Sequence, residues 1–347
     1  MNYRTLGRSG LQVSEIGFGT WGIGKSAWMG ADDQVSIRAL QTARDLGVNF
    51  FDTALLYGGG HSERLLAQAL GKSSDVIIAS KVPIKATLGR ARRFCEIFPR
   101  KYTLDSLDKT LANLGRDRVD LYQFHAWSAD WASDPEFQQT VNDIRQSGKA
   151  RFIGISVDHH QPNSVLPALD TGLIDVVQVI YNIFDQSPED RLLPYCRQHQ
   201  IGVIARVPLD EGGLTGSVTP TSRFPPGDFR NWYFAGNRKQ QVWDRVQSIA
   251  ADAAVAASDL PDLALRFCLS HLAVSVVIPG MRTPDHVRSN VACVQRGPLP
   301  DSLVAQLKNH RWERDFYSTS LIEKLRVLLS APLSTQVDTI RRKISRL

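Results

Sequence analysis

The sequence predicts an α/β protein built as one (β/α)8 TIM barrel, with an N-terminal β-hairpin and a C-terminal helical extension. Three observations carry this reading. Eight short β-branched or aromatic runs alternate with helical patterns along most of the 347 residues. Their starts lie 23 to 43 residues apart until a last gap of 72, which suits repeated strand–helix units with one long insertion. No linker divides the chain, so one barrel over 1–317 and a helical tail over 318–347 are expected.

The strands are expected near Glu15 (EIGFGT), Asn49 (NFFDTA), Val76 (VIIASK), Val119 (VDLYQFH), Phe152 (FIGIS), Asp175 (DVVQVIY), Gly202 (GVIAR) and Val274 (VSVVIPG). Between them, Leu104, Leu107, Leu111 and Leu114 share one helical face. Gly47 and Gly115 stand where helices should stop before the next strand. The insertion, about 208–237, is rich in Pro, Gly and aromatic residues. It follows the seventh strand, which places it on the C-terminal face where barrel sites form. Gly17, Gly19 and Gly22 spell the dinucleotide fingerprint of doubly wound folds. That motif needs a helix opening at the third glycine, and no helical pattern begins here before Asp32.

Composition narrows the class. Apolar residues make up 43% and charged residues 22%, an ordinary globular balance. No apolar run reaches the roughly 18 residues of a membrane helix, and the N-terminus has no apolar signal core. Cys95, Cys196, Cys268 and Cys293 are far apart, which predicts reduced thiols, no metal site and a cytoplasmic protein. Of the net charge of +6, the last thirty residues supply +4, so the body shows no footprint for nucleic acid.

Polar residues just after barrel strands are the first candidates for catalysis. Asp52 ends the second strand, Tyr57 follows it, Lys81 ends the third and His125 ends the fourth. Singly they read as a cap, a packed ring, a buried charge and a core imidazole. Together, in equivalent positions, they point to a convergent site. Carbonyl reduction needs an acid to protonate the developing alkoxide. The Lys81 ammonium should lower the Tyr57 pKa and make it that acid, with Asp52 holding Lys81 and neutral His125 orienting the carbonyl.

On GFGTWGIG, FDTALLYGGGHSERLLAQAL, ASKV, VDLYQFH, GIS, VVQVIYN, PLDEGGLTG and IPGMRTP with Asn290, the chain resembles the aldo-keto reductase superfamily from about Tyr3 to Tyr317. The resemblance implies the tetrad Asp52, Tyr57, Lys81 and His125, and an extended NADPH bound without a Rossmann fold. It implies Ser156 and Gln178 as carboxamide clamps and Tyr181 as the ring stacked on the nicotinamide. Gly19, Thr20, Trp21 and Asp52 would approach the ribose, and Pro208, Leu209, Gly213, Leu214 and Gly216 would cover the pyrophosphate. Pro279, Gly280, Arg282, Thr283, Arg288 and Asn290 would hold the adenosine end and its 2′-phosphate. Three positions depart from the usual pattern: Val157, Val207 and His286.

The function so implied is reduction of a small-molecule aldehyde or ketone, with no nucleic-acid or membrane partner. The alternatives are a cofactor-holding regulatory subunit like the potassium-channel β subunits, and a dehydrogenase working oxidatively. His125 favours an enzyme. Trp21, Tyr57, His125 and Trp127 are the expected substrate contacts. Trp131, Phe229, Trp232, Tyr233 and Phe234 either rim the pocket or pack the loop. In the tail, Leu321, Leu325 and Leu328 share one helical face and Val337, Ile340, Ile344 and Leu347 another, with Pro332 between. Such short helices need a surface, which predicts packing on the barrel or self-association through a neighbouring subunit.

Overall fold

The computed structural model describes residues 1–85 and 93–317, and the predicted tail helices lie outside the described residues. An antiparallel hairpin of β1 (Tyr3–Thr5) and β2 (Gln12–Ser14) comes first. Eight parallel strands follow: β3 (Phe18–Gly19), β4 (Phe50–Asp52), β5 (Ile77–Val82), β6 (Val119–Phe124), β7 (Ala150–Ser156), β8 (Val176–Ile180), β9 (Gly202–Arg206) and β10 (Val276–Val277). They pair in sequence order, and bridges Ile16–Val277 and Gly19–Gly280 bring the first strand against the last.

All eight predicted strands are present, but the first and last are reduced to two residues each. The seam explains this, and it also explains the false fingerprint. A Cβ on Gly17 would sit 2.9 Å from the Phe50 ring, and one on Gly19 would sit 2.8 Å from the Ile278 carbonyl oxygen. These glycines let two backbones close a barrel; they do not cradle a pyrophosphate. The helix that should start at Asp32 does so, over Asp33–Asp45, with the Asp32 carboxylate accepting from Val35 N–H at 2.8 Å.

Strand alternation divides the core in two. Inward-facing Phe50, Ala79, Leu121, Val176, Ile204 and Val276 pack with Leu6, Leu11 and Val13 of the hairpin, which plugs the N-terminal end. Outward-facing residues such as Phe51, Ile78, Tyr122 and Val177 pack under the helices. In the helix Arg100–Leu114, Leu107, Leu111 and Leu114 are buried, and Gly115 ends it at a φ of 62° that favours glycine. With one end plugged, only the C-terminal end can open to a ligand.

Candidate active site

The inward phase of the strands builds the site. Two residues beyond Phe50, Ala79, Leu121, Val176 and Ile204 come Asp52, Lys81, Gln123, Gln178 and Arg206, at or near the C-terminal strand ends. Ser156 ends β7 in the same phase. Polar groups therefore replace the apolar interior layer at one level only.

At that level Lys81 is fully buried, and its Nζ donates to Asp52 Oδ2 at 2.6 Å, to the Thr53 carbonyl at 2.9 Å and to the Tyr57 hydroxyl oxygen at 3.2 Å. Gln178 and Gln123 donate to Asp52 Oδ1 at 2.7 and 3.4 Å. The Tyr57 and His125 rings meet nearly edge to face, 5.8 Å apart, and His125 Nδ1 has no hydrogen-bond partner among the described residues. The four predicted catalytic residues thus converge.

Their protonation differs from the expectation in one respect. Burial pushes the Tyr57 phenol above its ordinary pKa, and the Lys81 charge pulls back without overcoming it. The phenol therefore holds its proton at neutral pH, as a donor must. Burial opposes the Lys81 charge, but Asp52 and Tyr57 more than compensate, so its pKa is raised and the ammonium persists. Burial, then the charges of Lys81 and Arg206, hold His125 well below its usual pKa. It is a neutral imidazole.

Tyr57 and His125 open onto a cavity of about 1720 Å³. That exceeds the roughly 300–1,000 Å³ of a single drug-sized ligand site, leaving room for a dinucleotide and a substrate together. Gly19, Trp21, Asp52, Ser156 and Gln178 line it, as do Pro208, Leu209, Pro279, Gly280, Arg282 and Asn290. The residues fit an extended nicotinamide dinucleotide on three counts. Orphaned polar atoms on His125 and Arg206 stand at one end. Arg282 and Arg296 line another part of the wall, and a Cβ on Gly280 would meet nothing within 4 Å.

Other predicted contacts are elsewhere. Tyr181 does not line the cavity: it is three residues past inward-facing Gln178, so alternation turns it outward. It packs on Phe267, and its hydroxyl donates to Glu189 Oε1 at 2.6 Å. Trp127 is buried among Phe94, Trp131 and Phe137, its indole N–H donating to the Ser164 carbonyl at 3.1 Å, and it does not line the cavity where a substrate contact was expected. Arg288 faces solvent and pairs with Asp285 at 2.8 Å. On its helix, Pro284–Gln295, the cavity-facing residues His286, Ser289, Asn290 and Cys293 recur at helical spacing, which excludes Arg288 and leads on to Arg296.

The remainder shape the wall from behind. Thr20 is buried with its hydroxyl donating to the Asp52 carbonyl at 2.9 Å, and Thr283 caps the helix by accepting from His286 N–H at 3.2 Å. Leu214 is buried in the outer core. A Cβ on Gly213 would strike Asp210 Oδ2 at 2.5 Å, and one on Gly216 would strike the Ala257 carbonyl oxygen at 2.5 Å.

Sequence reasoning missed Arg206, Glu211, His159, Arg296 and Tyr317, all of which line the cavity. Arg206 was detectable, two residues past a buried isoleucine in an inward-facing phase, and Arg296 by helical spacing from Asn290. Glu211, His159 and Tyr317 had no local signal. They meet because the C-terminal segment returns over the insertion: Tyr317 stacks on His159 with ring centres 3.8 Å apart and donates to Glu211 Oε1 at 2.7 Å. Nearby, buried Arg314 and Tyr233 both bind Asp210. Of the insertion aromatics, Phe224, Phe229 and Trp232 line the cavity, whereas Tyr233 and Phe234 are buried.

Burial raises the Glu211 carboxyl to about 7, with Tyr317 opposing the shift. Folded, it keeps its proton at pH values where the unfolded chain has lost it, so stability should fall as pH rises from about 4.5 through about 7. Glu211→Gln should flatten this dependence: between pH 5 and pH 8 the wild type loses more melting temperature than the variant. Parallel melting curves for the two would contradict the assignment.

Comparison with known proteins agrees with this geometry. The aldo/keto reductase family model matches residues 15–311. A curated relative, the NADH-specific methylglyoxal reductase of Escherichia coli (strain K12), is 31% identical over 313 residues, 83% of this chain and 92% of its own. A probable voltage-gated potassium channel subunit beta of Arabidopsis thaliana is 29% identical, covering 88% and 94%. Among solved structures, the holo form of an aldo-keto reductase from Bacillus halodurans superposes with a TM-score of 0.72 at 28% identity, over 92% of this chain and all of that one.

Proposed function

The chain belongs to the aldo/keto reductase family, and from that premise we propose that it reduces an aldehyde or ketone to an alcohol with NADPH, Tyr57 acting as general acid. The observation that carries this reading is the Tyr57 hydroxyl, protonated at neutral pH and held 3.2 Å from a buried ammonium at the mouth of a large cavity.

When bound, the nicotinamide supplies a hydride to the carbonyl carbon. The chain does the rest. Neutral His125 donates a hydrogen bond to the carbonyl oxygen and orients it. As negative charge grows on that oxygen, Tyr57 gives it a proton, and Lys81 stabilises the phenolate that remains. Asp52 keeps Lys81 charged and fixed. Ser156 and Gln178 would hold the carboxamide, and Trp21, Phe229 and Trp232 bound the cavity with apolar surface on the substrate side.

Arg282 supports the choice of NADPH. It is half-buried on the cavity wall beside the start of the helix Pro284–Gln295, packed over Gly22 and tied to the Met29 carbonyl at 3.0 Å. The test is NADPH and NADH oxidation over a panel of aldehydes and ketones, with dinucleotide binding measured alongside. Arg282→Ala should weaken NADPH by roughly 10–150-fold, the worth of a charged hydrogen bond, and NADH little. Equal affinity of the unmodified protein for both dinucleotides would refute the preference. The channel-subunit relative favours a second reading, a cofactor-holding regulatory protein. That reading requires binding without turnover on any carbonyl in the same assay.

A further inference from the structure

Arg206 is a charged residue of the site, on a barrel strand, that the mechanism above does not use. It ends β9, aligned with Ile180 at the end of β8. Its side chain reaches sideways, with Nη2 donating to the Val157 carbonyl at 3.0 Å and facing His159 Nδ1 at 3.2 Å, both beyond the end of β7. Because β8 lies between β7 and β9, a side chain anchored this way crosses the barrel mouth over the end of β8. It lines the cavity, its Nε is buried without a partner, and it forms no direct ion pair among the described residues, although the cavity-lining carboxyls of Asp158 and Glu211 feel its charge. Its charge is felt by both Tyr57 and His125, whose proton affinities it lowers.

A fixed cation is therefore placed at the strand ends that carry Ser156 and Gln178, which would hold the carboxamide, and near enough to Tyr57 and His125 for its charge to act on both. The aromatic side chain nearest in sequence to Gln178, Tyr181, is turned away. Nicotinamide is a cation when oxidised and neutral when reduced, so a guanidinium beside it acts on the two forms unequally. Resting on the reductase reading above, we propose that Arg206 sets the redox bias of the bound cofactor. Its charge disfavours the oxidised ring, so the protein holds NADPH more tightly than NADP+ and is poised to reduce carbonyls, not to oxidise alcohols. Hydrogen bonds to Val157 and His159 keep the guanidinium from swinging to solvent, and Asp158 and Glu211, whose own charges burial disfavours, offset its charge only in part. Both features are needed for a bias and neither is needed for packing.

The test is direct titration of NADPH and NADP+ separately, by quenching of the protein's tryptophan fluorescence, for the wild type, Arg206→Met and Arg206→Lys. The wild type should bind NADPH at least tenfold more tightly than NADP+. Arg206→Met should shrink that ratio by about tenfold, equivalent to about 30 mV in the midpoint of the bound two-electron couple. Arg206→Lys, and Arg206→Gln if the methionine variant does not fold, separate charge from shape: lysine should keep the bias and glutamine lose it. The inference is overturned if the neutral variants leave the ratio unchanged, or if both dinucleotides weaken equally. It is also overturned if the ratio holds and only the KM of carboxylate-bearing carbonyl compounds rises, which would make Arg206 a substrate anchor. Failure of the wild type to bind either dinucleotide would instead overturn the reductase reading itself, and this inference with it.

Discussion

Tyr57→Phe should lower kcat by roughly 10²–10⁴, the usual worth of a positioned acid, while leaving NADPH affinity nearly unchanged. The change deletes one oxygen. The ring keeps its packing against Trp21 and His125, with centres 6.5 and 5.8 Å away, and Lys81 keeps its bonds to Asp52 and the Thr53 carbonyl. Chemistry is thus lost without a cavity or an unpaired charge. His125 is no substitute donor of a full proton, because its surroundings keep it neutral. Single-turnover measurement, in which chemistry limits the rate, is the proper reading. Retention of more than a tenth of the wild-type rate would remove Tyr57 from the role of acid.

Lys81→Met is expected to have the largest effect on folding. Removing one partner of a buried ion pair costs about 3–5 kcal/mol, since the other charge stays behind unpaired. Here Asp52 would retain its hydrogen bonds from Gln178 and Gln123, which places the loss near the lower end of that range. Combining the change with Asp52→Asn should recover part of it, because no charge is then left buried. Urea unfolding of the two single variants and the double variant gives the coupling directly. Additive losses would show that the pair is not coupled. Turnover should fall as well, since the phenol loses the ammonium that favours its ionised form.

The alternation of strands and helices, the barrel, and the convergence of Asp52, Tyr57, Lys81 and His125 are all legible in the sequence. These features obey local rules: period-2 and period-3.6 patterns, and the tendency of barrel strand ends to carry chemistry. The same alternation carries further consequences. Inward phase at Ile204 implies an inward Arg206, and inward phase at Gln178 implies an outward Tyr181, so the stacking role assigned to Tyr181 contradicted its own strand.

Other parts had no local signature. Trp127 looks like a rim residue because it follows a strand end, yet it joins an aromatic cluster with Phe94 and Phe137, which lie in other segments of the chain. Glu211 becomes a group with a pKa of about 7 because the fold buries it, and Tyr317, 106 residues away, donates to it and only partly opposes that rise. The sequence alone determined the architecture and the reacting groups, since each follows from spacing along one strand or helix. The tertiary structure decided how the pKa values settle, what the aromatic residues cover and which side chains the C-terminal segment brings to the cavity. Those properties depend on burial and on charges brought together across the chain, and no periodicity encodes a distance between remote segments.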